Sequence, residues 1–147
     1  MRPDDSKAPP SAASAGPSAG RTGSRRMLII EDDPDMWPIL ERFSAEADPT
    51  LEVEFAGSAD EAEARLESEV RYHVVLSDYC LPRPGAGVEV LERAARLQPQ
   101  ARVGLISALM GYQPKDTPYL SKPFTREHYR RFLRDLLDWP EPSPRSA

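Results

Sequence analysis

The sequence predicts an α/β fold in which a parallel β-sheet is covered by helices on both faces. Two observations carry this prediction. Short apolar runs alternate along the chain with segments of helical apolar spacing, which is the pattern of parallel strands joined by helices. In addition, the apolar run at residues 27–30 (MLII) is continuous, as is typical of a strand that is buried on both faces.

Five strands are predicted from these apolar runs. They cover residues 27–30, 51–56, 74–76, 103–106 and 119–120. The second run alternates apolar and polar positions, and the third leads directly into Ser77 and Asp78.

The helices are predicted from apolar residues three or four positions apart and from capping residues. The apolar positions are Met36, Ile39, Leu40 and Phe43 in the first helix, Val88, Leu91, Ala95 and Leu97 in the third, and Tyr129, Phe132, Leu133, Leu136 and Leu137 in the last. Asp33 with Pro34 can start the first helix, Ser58 and Glu61 have capping-box spacing before the second, and Thr125 can cap the last.

The composition of the 147 residues is that of a globular protein, with 39% hydrophobic and 29% charged residues. The net charge of −5 argues against binding to a nucleic-acid backbone, which requires a basic face. Cys80 is the only cysteine, so neither an internal disulfide nor a thiolate metal cluster can form. No apolar run approaches the roughly 20 residues of a membrane span, and no secretory signal is present. We therefore expect a cytoplasmic protein that binds neither nucleic acid nor membranes.

One folded domain is expected, at residues 26–138. Residues 1–25 consist almost entirely of Pro, Ser, Ala, Gly and charged residues, which cannot bury enough surface to offset the entropy of ordering. We predict a disordered N-terminal tail over residues 1–25 and a flexible C-terminal tail over residues 139–147.

Acidic, hydroxyl and basic residues that could take part in chemistry follow several of the predicted strands. The first strand ends at Glu31 and Asp32, the third at Asp78, the fourth at Ser107, and the fifth leads into Lys122. Ligands of open parallel sheets bind outside the carboxyl ends of the strands, so these side chains are expected to converge. Converging carboxylates repel each other unless a cation binds, and Mg²⁺ prefers oxygen ligands. The pattern predicts a Mg²⁺-assisted phosphoryl-transfer site with a carboxylate acceptor.

Three segments resemble the motifs of bacterial two-component response regulator receiver domains. They are residues 28–34 (LIIEDDP), 76–82 (LSDYCLP) and 120–124 (LSKPF), and the resemblance extends over about residues 26–137. It implies a flavodoxin-like, five-stranded parallel sheet with strand order 2-1-3-4-5, in a stand-alone receiver domain that occupies residues 26–138.

The same resemblance implies roles for individual residues. Asp78 matches the phosphoacceptor, Asp32 the direct Mg²⁺ ligand, and Glu31 the acidic neighbour that acts through water. Cys80 matches the position whose backbone carbonyl completes the metal site, and Lys122 the lysine that contacts the acceptor or its phosphate.

Two further residues, Ser107 and Tyr119, match the hydroxyl–aromatic switch pair. The implied partners are a sensor histidine kinase or phosphotransfer protein, which donates the phosphoryl group, and a downstream protein whose identity the sequence does not give. Self-catalysed phosphotransfer serves signalling here, so we do not expect an enzyme. We expect slow autodephosphorylation, because Cys80 and Leu109 replace side chains that would orient the attacking water.

The segment between the fourth and fifth strands departs from the family pattern. Residues 109–118 include Pro114 and Pro118 and are too few for a loop, a three-turn helix and a second loop. We predict that the fourth helix is absent or reduced to one turn, and that part of the sheet near Leu105 and Leu120 is exposed as a partner-binding patch. We also expect this segment to be mobile and to become ordered on phosphorylation or on partner binding.

Two other functions are compatible with parts of the pattern. One is a degenerate receiver that docks to proteins independently of phosphate, which the shortened segment favours and the complete set of site residues disfavours. The other is a Mg²⁺-dependent phosphohydrolase, which would require a second aspartate two residues after Asp78, where this chain has Cys80.

Overall fold

The computed structural model describes residues 25–108 and 117–138. Within them, five strands and four α-helices are formed, together with a 3₁₀ turn at Pro34–Met36. The strands are β1 (Arg25–Ile30), β2 (Leu51–Ala56), β3 (Val74–Asp78), β4 (Arg102–Ser107) and β5 (Tyr119–Ser121). The helices are α1 (Trp37–Ala47), α2 (Ala59–Leu66), α3 (Ala86–Leu97) and α4 (Arg126–Leu137).

The strands are all parallel and lie in the order β2-β1-β3-β4-β5, which confirms the predicted flavodoxin-like sheet. In this register Ile30 of β1 pairs with Ser77 of β3, and Asp78 pairs with Ile106 of β4. Because parallel strands end at the same edge of a sheet, the residues that follow these positions lie side by side.

Each face of the sheet carries its own apolar core. Helices α2 and α3 cover one face, and α1 and α4 cover the other. Successive residues of β1 alternate between the two cores, with Leu28 and Ile30 in the first and Met27 and Ile29 in the second. The continuous apolar run in the sequence therefore corresponds, as predicted, to a strand that is buried on both faces.

The predicted capping residues act at three helical starts. The Ser58 hydroxyl accepts a hydrogen bond from the Glu61 amide (3.1 Å), while the Glu61 carboxylate accepts one from the Gly57 amide (2.8 Å). Thr125 accepts a hydrogen bond from the His128 amide at 3.0 Å. Asp33 caps the 3₁₀ turn, and α1 itself begins one turn later than the sequence predicts.

The buried side of α3 differs from the predicted one. Of the four predicted apolar positions only Leu91 is fully buried, and the buried set is Ala86, Gly87, Val90, Leu91 and Ala94. The difference arises because Gly87 packs directly against β3. The other residues that face the sheet then lie three, four and seven positions after Gly87, at Val90, Leu91 and Ala94.

Two other predictions require correction. The sequence predicts that Arg25 belongs to the N-terminal tail, but Arg25 pairs with Leu51 and is the first residue of β1. Leu105 is only 1% exposed and Leu120 is half-buried, and they lie on opposite faces of the sheet, so they do not form one exposed patch. Their register explains this, because Leu105 pairs with Tyr119 whereas Leu120 pairs with the next residue, Ile106.

Several predictions fall outside the described residues. These are the disordered tail apart from Arg25 and the flexible C-terminal tail. The reduced and mobile fourth helix, predicted for residues 109–118, also falls here, because residues 109–116 lie outside the described residues. No helix within the described residues is long and apolar enough to cross a membrane.

Candidate functional site

Three carboxylates converge where β1 and β3 end. Glu31 and Asp32 directly follow β1, and Asp78 is the last residue of β3. One oxygen from each of these side chains lies within 4.8 Å of the others. Glu31 and Asp78 are 4% and 6% exposed, whereas Asp32 is exposed. Two carboxylates of the cluster are therefore buried, and the third is exposed to solvent.

Lys122 supplies positive charge to this cluster from the segment that follows β5. Its Nζ lies 3.0 Å from Asp78 Oδ1 and 3.8 Å from Glu31 Oε1. The Lys122 amide donates a hydrogen bond to the Ser107 carbonyl at 2.8 Å, which ties the lysine to the end of β4. The peptide bond between Lys122 and Pro123 is cis. One ammonium group thus contacts two of the three carboxylates.

The electrostatic cost of this arrangement is visible at Glu31. The pKa of Glu31 is raised from an ordinary value of 4.5 to about 8; burial is the largest cause, and hydrogen bonding with Asp78 and the negative charge of Asp78 contribute to the rise. The Asp33 amide, which donates to Glu31 Oε2 at 3.0 Å, and the Lys122 ammonium act in the opposite direction. Protonation of Glu31 is one way to relieve the repulsion in this cluster.

A divalent cation is another way, and the residues fit one. Asp78 Oδ1 is buried and accepts no hydrogen bond, although it forms the ion pair with Lys122. A buried carboxylate oxygen of this kind, with two more carboxylates beside it, matches the oxygen donors that a hard cation such as Mg²⁺ prefers. Glu31, Asp32 and Asp78 would hold the ion.

A tryptophan that sequence reasoning did not single out contacts the site. The Trp37 Nε1–H donates a hydrogen bond of 2.9 Å to the backbone carbonyl of Glu31. The only sequence feature that could have pointed to a role for Trp37 is its position, six residues after Glu31 and at the start of the first helix.

Gly87 is a second residue that the sequence did not single out. A Cβ atom at this position would lie 1.7 Å from the backbone oxygen of Asp78. The Gly87 amide donates to the Tyr79 carbonyl at 3.0 Å, so the start of α3 is anchored to the turn that follows Asp78. The sequence feature that could have identified Gly87 is the presence of a glycine in the first turn of an otherwise amphipathic helix.

The three remaining predicted residues occupy different surroundings. Ser107 is 3% exposed and follows Ile106, the residue that pairs with Asp78. Tyr119 is half-buried and packs against the core under α2 and α3. Cys80 is partly exposed and forms an isolated bridge with Pro84 in the turn after β3. The structure thus gathers Glu31, Asp32, Asp78 and Lys122 into one cluster, joins Ser107 to it through the Lys122 backbone, and packs Tyr119 against the core.

Comparisons with known proteins agree with this fold. The model of the response regulator receiver domain family matches residues 27–134. The receiver domain of the Erythrobacter litoralis PhyR response regulator shares 25% identity with a TM-score of 0.70, over 87% of this chain and 100% of that one. A CheY-like receiver domain protein from Methanospirillum hungatei JF-1 shares 25% identity with a TM-score of 0.65, over 79% and 95%.

A longer protein is also similar in part. The response regulator PhyR from Brucella abortus shares 26% identity with a TM-score of 0.66, over 78% of this chain but 48% of that one. A comparison with curated protein sequences gave no significant match.

Proposed function

Because the chain belongs to the response regulator receiver family, we propose that it accepts a phosphoryl group on Asp78 and signals through protein–protein contacts. The donor is a phosphohistidine on a sensor histidine kinase or a phosphotransfer protein, the cofactor is Mg²⁺, and the reaction takes place in the cytoplasm. One observation carries the proposal: Asp78 is buried among two other carboxylates and lies 3.0 Å from the Lys122 ammonium.

The transfer requires little of the protein beyond positioning and charge. The bond between phosphorus and the imidazole nitrogen of the donor breaks as a bond between phosphorus and an Asp78 carboxylate oxygen forms. When bound, Mg²⁺ neutralises negative charge on the phosphoryl oxygens. Lys122 Nζ contacts Asp78 in the unphosphorylated protein, and this ammonium group is available to pair with a phosphoryl oxygen after transfer.

The other predicted residues would act around this centre. Ser107 lies at the end of β4, where its hydroxyl can donate to a phosphoryl oxygen on Asp78, and Tyr119 would respond as its switch partner. Cys80 follows the acceptor by two residues, and its backbone carbonyl would complete the set of metal ligands. Signalling then follows from the new charge at Asp78, which changes the surface that a downstream protein contacts.

The test is phosphorylation with acetyl phosphate and Mg²⁺, followed by intact mass spectrometry. The wild-type protein should gain one phosphoryl group, Asp78→Ala should gain none, and Lys122→Ala should gain it more slowly. The control is Asp35→Asn, which removes an exposed carboxylate of the 3₁₀ turn outside the cluster and should leave the modification unchanged. Absence of a wild-type adduct would contradict the proposal and favour a docking module that is independent of phosphate.

Autodephosphorylation is expected to be slow, because the partly exposed Cys80 thiol orients water poorly. The label on Asp78 should persist after the phosphodonor is removed, and Cys80→Asn should shorten its lifetime severalfold by supplying an amide that can hold the attacking water. Mass spectrometry at timed intervals measures both decays. Rapid loss of label from the wild-type protein in the absence of a phosphatase would contradict this expectation.

A further inference from the structure

We propose that Trp37 is a positioning residue for the metal-binding carboxylates, a role that rests on the proposed function. Its Nε1–H donates a 2.9 Å hydrogen bond to the carbonyl of Glu31. This carbonyl belongs to the peptide unit that joins Glu31 to Asp32. The peptide unit has the two acidic side chains on either side of it, so a bond that fixes its rotation also limits the directions in which both carboxylates point.

The indole is itself held in place by a neighbouring strand. The Trp37 ring stacks on Phe55 of β2, with 5.1 Å between the ring centroids and 12° between the ring planes. It also lies 3.6 Å from the position that a Cβ atom would occupy at Gly57. Phe55 pairs in the sheet with Ile29, two residues before Glu31. The donor therefore belongs to a rigid assembly of α1, β2 and β1.

Asp32 is the residue that depends most on this support. Its carboxylate is exposed and has no hydrogen-bond or ion-pair partner among residues 25–108 and 117–138. The Glu31 carboxylate, by contrast, is held by the Asp33 amide at 3.0 Å and by Lys122 at 3.8 Å. The orientation of Asp32 is thus determined mainly by its own backbone, on which the Trp37 hydrogen bond acts directly.

The expected consequence is that Trp37 raises the affinity for Mg²⁺. Trp37→Phe keeps an aromatic ring that can stack on Phe55 but removes the N–H donor. We expect it to raise the Mg²⁺ dissociation constant, measured by isothermal titration calorimetry, about threefold to tenfold, the range for one hydrogen bond. At saturating Mg²⁺, the rate of phosphorylation by acetyl phosphate should return to near the wild-type value, because the chemical step does not involve the indole.

The matched control is Trp139→Phe, the same substitution at the only other tryptophan, which should leave the dissociation constant unchanged. This variant also retains Trp37 as its single tryptophan. Its fluorescence should therefore change during a Mg²⁺ titration, with the same dissociation constant as calorimetry reports. This readout tests the proposal even if Trp37→Phe does not fold.

The outcomes separate this inference from the proposed function. If the wild-type protein binds Mg²⁺ and is phosphorylated while Trp37→Phe binds with an unchanged dissociation constant, the indole only packs and the inference alone is overturned. A lower melting temperature of Trp37→Phe in EDTA together with unchanged Mg²⁺ binding leads to the same conclusion. Trp37 emission that does not respond to Mg²⁺ also counts against it. If the wild-type protein neither binds Mg²⁺ nor is phosphorylated, both the proposed function and the positioning role of Trp37 are contradicted.

Discussion

Glu31 and Asp32 are adjacent carboxylates with opposite surroundings. Glu31 is buried beside Asp78 and its pKa is raised to about 8 by burial, whereas Asp32 is exposed. The difference arises because successive residues at a strand end point in different directions, one into the protein and one towards the mouth of the site. At the scale of single residues, then, burial beside Asp78 favours the protonated form of Glu31.

This asymmetry predicts an unusual dependence of stability on pH. As pH rises from about 4.5 to about 8, the unfolded chain releases the Glu31 proton while the folded protein retains it, so the free energy of unfolding falls. Glu31→Gln cannot ionise. In EDTA it should therefore be more stable than the wild-type protein near pH 8, by about 1 kcal/mol or more, with the difference shrinking towards pH 4.5.

Urea denaturation across this pH range measures the effect. Glu41→Gln, at an exposed position of α1, serves as the control and should follow the wild-type profile. Parallel profiles for Glu31→Gln and the wild-type protein would show that Glu31 releases its proton as an ordinary glutamate does.

At the scale of elements, the close contact between α3 and β3 shapes the acceptor turn. Gly87 brings the start of α3 against the backbone of Asp78, and the Gly85 and Gly87 amides both donate to the Tyr79 carbonyl. On the opposite face, the Ser44 hydroxyl of α1 and the Tyr129 hydroxyl of α4 share a buried hydrogen bond of 2.8 Å. The first set of contacts holds α3 against the strand end that carries Asp78, and the second joins α1 to α4.

Gly87→Ala should test the contact between α3 and β3. The added Cβ would lie 1.7 Å from the Asp78 carbonyl oxygen, so the helix must shift, and we expect a loss of about 3 kcal/mol in the free energy of unfolding. Gly57→Ala is the matched control, because its Cβ would meet its neighbours at 3.5 and 3.6 Å, which is ordinary contact. We expect that change to stay within about 0.5 kcal/mol. Equal stabilities of the two variants in chemical denaturation would show that α3 adjusts without cost.

For the whole molecule, the strand order decides which residues meet. Strands β1 and β3 are neighbours in the sheet although more than forty residues separate them, so their carboxylates converge only in the folded chain. The segment after β5 brings Lys122 to the same place. A cation bound by these residues is therefore bound by the folded state and not by the unfolded one.

Mg²⁺ should accordingly stabilise the fold, and EDTA should remove the effect. At a Mg²⁺ concentration of about one hundred times the dissociation constant, linkage predicts about 2.7 kcal/mol of added stability. Thermal melting in increasing MgCl₂ measures this, and Asp32→Asn should lose most of the shift. NaCl at matched ionic strength is needed as a control, because the net charge of −5 makes general screening stabilising as well. An equal shift in NaCl would remove the case for a specific site.

The amino-acid sequence was sufficient to predict the elements, most of their boundaries, and the acidic and basic residues at the strand ends. These follow from local properties, namely apolar periodicity and capping residues. Three features became clear only in the folded protein: Glu31 is buried while Asp32 is exposed, Trp37 donates a hydrogen bond to the peptide between them, and Gly87 packs against the backbone of Asp78. Burial depth and partners across the fold depend on the packing of residues that are distant in sequence, which no local pattern specifies.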